Sequence, residues 1–192
     1  MYILGVSGSP RVGGNTDLIL NEALAAAKSK GAEVKLIRLS DYSLEPCNAC
    51  MTCFSTGKCV IKDDWQKLYD ELSSADGIIL ASPSYFQGVT AQMKAFIDRI
   101  GFVALARKRT DFAGKVGGAI AVARRSGVSS TCNQIMVFLT AVGMAIPSGG
   151  RVYAIGREKG EVLKDQEGIQ TARQLGSAVF EALKNRPTVA KV

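Results

Sequence analysis

The sequence predicts an α/β fold, a doubly wound five-stranded parallel sheet with a cysteine-bearing loop after the second strand. Three observations predict it. Five short apolar or alternating runs take turns with five helical patterns between residues 2 and 185, the signature of strands joined by crossover helices. Loops rich in Gly, Ser and Arg fall directly after the strand-like runs, where such sheets carry their ligands. The one long stretch without periodicity, 40–62, holds four of the five cysteines.

Tyr2 to Val6 is a short apolar run ending at a Gly/Ser turn, as a buried parallel strand does. Thr16 to Lys30 carries Leu18, Ile19, Ala23, Ala26 and Ala27 at helical spacing and stops at Gly31. Glu33 to Leu39 alternates and reads as the second strand. Asp63-Asp64 opens a helix to Ser74, its acidic residues at the positive end of the dipole. A third strand is expected over Gly77 to Ala81, a helix over Val89 to Ala104, and a fourth strand over Val116 to Ala123. Asn133 to Val142 reads as helix, Ala145 to Tyr153 as the last strand and Asp165 to Asn185 as the last helix. The expected organisation is a single domain over 1–186 with a cysteine-rich insertion at 40–62 and a short frayed tail at 187–192.

Composition narrows the chemistry. Of 192 residues, 47% are hydrophobic and 21% charged, a globular balance able to bury one core. The net charge of +7 is spread along the chain, and its densest run, Arg107-Lys108-Arg109, has no interleaved aromatics. A solvated surface is therefore expected rather than a nucleic-acid interface. The chain has no histidine, so His-based acid–base work, Ser–His or Cys–His nucleophiles and His metal sites are excluded. Any catalysis must come from a cofactor, a metal centre or carboxylates, and no particular catalytic side chain is expected. The start, Met1 to Ser9, lacks the basic and apolar regions of a signal peptide, and the best apolar run, Ile135 to Ile146, is interrupted by Thr140 and Gly143. A cytoplasmic location without membrane association is expected, and there grouped cysteines point to metal or redox work.

After the first strand comes Ser7-Gly8-Ser9-Pro10-Arg11-Val12-Gly13-Gly14-Asn15-Thr16, directly before a helix. Glycines let backbone N–H groups approach an anion, hydroxyls add donors, and the helix start adds its dipole. The dinucleotide fingerprint is absent, and no Lys follows Gly13 as a P-loop requires. A hydroxyl-rich loop with one Arg suits a terminal phosphate monoester, as in FMN; the alternative is a tight turn capped by Asn15 or Thr16 without a ligand. After the third strand comes Ser82-Pro83-Ser84-Tyr85-Phe86-Gln87-Gly88, whose aromatic pair and Gly can cover a flat heterocycle or simply pack under the next helix. A third loop, Arg124-Arg125-Ser126-Gly127, offers N–H groups and positive charge to an anionic reduced flavin.

The sharpest motif is Cys47-x2-Cys50-x2-Cys53-x5-Cys59. Its short steps let three thiolates converge, and Gly57 lets the chain return Cys59 as a fourth ligand. Bacterial ferredoxins open with the same spacing around a [4Fe–4S] cluster. A zinc site, a C-x-x-C thiol redox pair and a ligand-free loop are the alternatives. Cys132 lies outside the motif beside Ile135 and Met136 and reads as a buried structural thiol.

The segments SGSPR-x-G-G-N-T and SPSYFQGVTAQMKAFIDR resemble the NAD(P)H-dependent FMN reductase branch of the flavodoxin-like superfamily, from Ile3 to about Gly143. The resemblance implies that Ser7, Ser9, Arg11, Asn15 and Thr16 take the FMN phosphate and that Pro83, Ser84, Tyr85, Phe86, Gln87 and Gly88 flank the ring; Arg124 is a cofactor candidate from its charge and its place after a strand, its loop matching no pattern of the family. The cysteine motif, with Pro46 before it and Cys-Val-Ile-Lys-Asp-Asp at its end, resembles the iron–sulfur flavoprotein family. That likeness implies Cys47, Cys50, Cys53 and Cys59 as cluster ligands, and a homodimer or homotetramer with FMN at a subunit interface. The function expected is an FMN-dependent oxidoreductase or electron-transfer protein coupling flavin to a [4Fe–4S] cluster. NAD(P)H is a potential substrate, and a small redox protein such as ferredoxin or a small-molecule acceptor is the expected partner. Competing readings are an FMN or quinone reductase without the cluster, and a flavodoxin-like sensor module with zinc or a thiol switch.

Overall fold

A computed structural model describes residues 1–186; the expected tail at 187–192 lies outside the described residues. Five strands, β1 (Tyr2–Ser7), β2 (Glu33–Arg38), β3 (Gly77–Pro83), β4 (Val116–Ala123) and β5 (Arg151–Ile155), form one all-parallel sheet in the order β2-β1-β3-β4-β5. The three central strands are buried on both faces, which is why they read as unbroken apolar runs. The edge strands β2 and β5 alternate in burial because one side of each meets solvent.

Helices cover both faces. On one lie α1 (Asn15–Ser29) and α6 (Gln166–Lys184), whose Ile19, Leu20, Ala23, Leu175 and Val179 meet Ile3, Ile79 and Ile120 of the sheet. On the other lie α3 (Trp65–Ser74), α4 (Ala91–Ala106) and α5 (Val128–Ala141), packed on Leu4, Val6, Ile78 and Leu80. At Gly176 a Cβ would overlap the Ala23 carbonyl, so only glycine lets α6 approach α1 this closely.

Most ends fall within two residues of the sequence reading; two boundaries and one added helical turn depart further. Helix α5 starts at Val128, five residues before the expected Asn133, because Gly127 adopts φ +94° and turns the chain straight into the helix. The last strand spans Arg151–Ile155 rather than 145–153: Ala145 makes an isolated bridge to Val116, and then Pro147 and the left-handed Gly149 break the ladder. Within the cysteine stretch, a single helical turn, α2 (Cys53–Thr56), ends at the left-handed Gly57.

Candidate functional site

Four loops at the carboxyl ends of β1, β3, β4 and β5 line a cleft of about 260 Å³. The first loop brings Ser9, Arg11, Gly14, Asn15 and Thr16; the second brings Pro83, Ser84 and Tyr85; the third brings Arg124. The fourth, Gly156 to Lys159, is absent from the sequence expectation, which ends the last strand two residues too early. No side chain caps the start of α1, so its first-turn N–H groups remain for an anion. Arg11, Arg124, Arg157 and Lys159 surround this helix end with positive charge, and Glu158 is the one acidic residue lining the cleft among the described residues.

Two of the expected phosphate residues do other work. The Ser7 hydroxyl is buried and donates to Asp17 Oδ1 at 2.5 Å, and Ser7 does not line the cleft. Asp17 Oδ2 also accepts the Gly13 N–H at 2.8 Å and Arg38 Nε at 2.7 Å, so one buried carboxylate ties β1, the loop and β2 together. Asn15 donates to the carbonyls of Gly156 and Glu158 and accepts from the Gly160 N–H at 2.7 Å, fastening the first loop to the fourth. Ser9 Oγ accepts the Arg11 N–H at 3.1 Å and shapes the turn, while Thr16 sits buried in the first helical turn.

In the second loop, Tyr85 and Gly88 exchange backbone hydrogen bonds and close a tight turn. Phe86 and Gln87 hold positive φ, and Phe86 is fully exposed; Phe86, Gln87 and Gly88 do not line the cleft. The turn is held from α5 by Ser130 Oγ, which donates to the Gln87 carbonyl at 2.6 Å. Gly127 abuts Ser84 and Gln87 so closely that a Cβ there would collide with the Ser84 Oγ. That hydroxyl is buried, faces no hydrogen-bond partner among the described residues, and belongs to a residue lining the cleft. Thr90 caps α4 through the Met93 N–H and donates to the Gly8 carbonyl at 2.7 Å, locking the second loop to the first.

The second cluster is the cysteine loop. Cys47, Cys50, Cys53 and Cys59 line one small apolar pocket, closed by Arg99, Phe102 and Val103 of α4. Ala49 and Met51, two of the four residues between the first three cysteines, hold φ of 55° and 60°, which winds the segment tightly. Among the described residues no three metal-ligating side chains converge on a single ion. Burial raises the Cys53 thiol, and the neighbouring Cys50, Cys59 and Cys47 raise it further. Hydrogen bonds from Thr52 lower the Cys50 thiol.

The motif spacing does not reveal the partners of Cys59. Arg99 is fully buried and donates through Nη2 to Cys59 Sγ at 3.3 Å. Both Nη1 and Nη2 also donate to the Asp63 carboxylate, the latter at 2.9 Å, and Nη1 reaches the Glu45 carbonyl at 3.0 Å. Asp63 in turn accepts the N–H groups of Glu45 and Trp65. A signal is nonetheless present in the sequence: Arg99 sits between Phe96 and Ile100 on the apolar stripe of α4, where a charge is out of place.

Cys132 is apart from all this. It is fully buried, its Sγ donates to the Val152 carbonyl at 3.4 Å, and burial pushes its thiol up to about 12. At pH 8 its thiolate fraction is then on the order of one in ten thousand. Native, metal-free protein treated with iodoacetamide at pH 8 should carry up to four labels by mass spectrometry, with Cys132 labelled only after unfolding. Labelling of Cys132 at the rate of the loop thiols would contradict its burial.

The family model for NADPH-dependent FMN reductase matches residues 1–158. An iron-sulfur flavoprotein of Methanocaldococcus jannaschii is 40% identical over 197 residues, covering 96% of this chain and 98% of its own. An iron-sulfur flavoprotein of Methanosarcina thermophila is 35% identical and covers 96% of each chain. Among solved structures, a flavodoxin from the domain Archaea superposes with a TM-score of 0.65 at 19% identity, over 96% of this chain and all of its own, which shows the flavodoxin-like fold. Among the described residues, no helix is long and apolar enough to cross a membrane.

Proposed function

This chain belongs to the NADPH-dependent FMN reductase family, among the iron–sulfur flavoproteins, and is a flavin-dependent oxidoreductase; we propose that it couples FMN in the strand-end cleft to a [4Fe–4S] cluster on the cysteine loop. The observation that carries the coupling is the arrangement of all four motif cysteines around one apolar pocket, with a buried guanidinium on Cys59.

The cleft suits FMN. Its uncapped helix start and basic residues meet the needs of a phosphate, and Ser9, Arg11 and Thr16 are the first-loop side chains left to hold it. Ser84 Oγ, buried without a partner among the described residues, costs about 1–3 kcal/mol until a bound group supplies one. Tyr85 and Pro83 offer flat apolar surface beside it. The cysteine loop suits a cubane. Each thiolate there would hold a different iron of such a cluster, so the four sulfurs need not converge on one ion as zinc would require. When bound, FMN exchanges electrons singly or in pairs and the cluster exchanges them singly.

The reading extends to partners. NAD(P)H or a small acidic redox protein such as a ferredoxin serves as electron donor or acceptor, drawn by the basic cleft mouth and the net charge of +7, or a small molecule takes the electrons. The exposed Phe86 and Tyr85 beside the cleft favour a homodimer or homotetramer in which a second copy covers them.

Anaerobic purification with iron, zinc and flavin assays tests the proposal. About one FMN and about four irons per chain are expected, with flavin bands over broad iron–sulfur absorbance. Flavin with little iron, even after reconstitution with iron and sulfide, would leave an FMN or quinone reductase without a cluster. Zinc without flavin would overturn both halves in favour of a sensor module.

A further inference from the structure

We infer that Arg99 is a positioning residue for the cysteine site, one that sets how readily a bound cluster accepts an electron, and that Asp63 holds it in that role. This role presupposes the cluster proposed for the cysteine loop.

Burying an arginine fully is unfavourable, and a buried ion pair generally stabilises a fold no better than apolar residues of similar volume. Here the pair interrupts the stripe Met93, Phe96, Ile100 and Val103 of α4, where a leucine or methionine would pack. Stability alone does not account for it. Geometry does: the Asp63 carboxylate and the Glu45 carbonyl fix the guanidinium plane, and the Trp65 ring lies 5.9 Å from its carbon. One N–H is thereby directed at Cys59 Sγ, while Nε has no protein partner among the described residues.

Hydrogen bonds to ligand sulfur and nearby positive charge favour the more negative, reduced form of an iron–sulfur centre. The reaction concerned is a one-electron reduction in which no bond forms or breaks: a chemical titrant such as dithionite supplies the electron, and the cluster's charge falls by one. Arg99 favours this reduction. Asp63 both orients Arg99 and offsets its charge, so the two residues act with opposite sign.

That opposition defines the test. Reconstituted wild type, Arg99→Lys, Arg99→Met and Asp63→Asn are titrated anaerobically, and the cluster potential is followed by its absorbance or electron paramagnetic resonance. Arg99→Met should lower the equilibrium constant for reduction about tenfold, which is about 59 mV for one electron. Arg99→Lys, which keeps the charge but not the fork, should fall between it and wild type. Asp63→Asn should shift the constant upward, since the amide oxygen still accepts from the guanidinium and keeps it aimed at Cys59 while the compensating charge is gone. If Arg99→Met does not fold, Arg99→Lys, which keeps a cation opposite Asp63 and so leaves no lone buried charge, is read instead and should lie below wild type. Reduction constants within about twofold of wild type, or shifts of one sign in the Arg99 and Asp63 variants, would overturn the inference while the cluster reading stands. Wild type that holds no iron after reconstitution would overturn the cluster reading and this inference with it.

Discussion

Replacing Asp17 with alanine is expected to cost about 3 kcal/mol of stability and to weaken FMN binding at least tenfold. Asp17 is 1% exposed and accepts from the Ser7 hydroxyl, the Gly13 N–H and the Arg38 guanidinium. Its removal leaves all three without this partner. Breaking a buried pair from one side costs about 3–5 kcal/mol, and the lower end applies because the Arg38 side chain is 28% exposed and can turn to water. The binding loss has a separate origin. Gly13 and Ser7 bracket the phosphate loop, so its backbone N–H groups lose their common orientation once the carboxylate is gone. Denaturant unfolding of the flavin-free protein measures the first effect, and quenching of FMN fluorescence on titration measures the second. Lost stability with unchanged FMN affinity would mean that the loop keeps its shape without Asp17.

Gly127→Val should likewise weaken FMN binding by tenfold or more. Gly127 holds φ +94°, a conformation that costs other residues about 1–2 kcal/mol, and its missing side chain leaves the room that Ser84 Oγ occupies. A larger residue pushes the third loop off the second and widens the cleft between them. Gly114→Val is the control: at φ +81° it carries the same backbone penalty, but nothing lies near its Cβ position. Both variants should lose similar backbone stability, and only Gly127→Val should lose FMN. Equal affinities in the two variants would show that the contact between the loops does not shape the cleft.

The sheet is legible in the sequence because central and edge strands carry different burial, and the difference is written as unbroken apolar runs against alternation. Three loops at strand ends are legible for the same reason: once β1, β3 and β4 are located, the segments leaving their carboxyl ends face the ligand side. The fourth loop is lost when Ala145 draws the last strand too early, since Pro147 lies inside the expected run and argues against it. Roles within the loops are harder to read. Whether Ser7 meets a phosphate or Asp17 depends on which way a hydroxyl turns, and Asn15 reaches a segment distant in sequence. Such long-range hydrogen bonds leave no periodic trace. Asp17 in the first turn of α1 reads on paper as an ordinary dipole partner, yet at an anion site it is tolerable only because Arg38 neutralises it. The cysteines announce themselves by spacing, whereas Arg99 shows only as a charge in the wrong place.

Helix α4 is latched at its start to the Gly8 carbonyl by Thr90, and further along it grips the cysteine loop through Arg99. From one to the other the helix rises about 14 Å. The two sites in one chain are thus separated by a rigid ruler rather than by loops. It fixes phase as well as length: one residue added or removed between Thr90 and Arg99 would swing the guanidinium by about 100° around the axis, off Cys59. Substitutions along this stretch leave that spacing intact, whereas an insertion or deletion takes the two sites out of step.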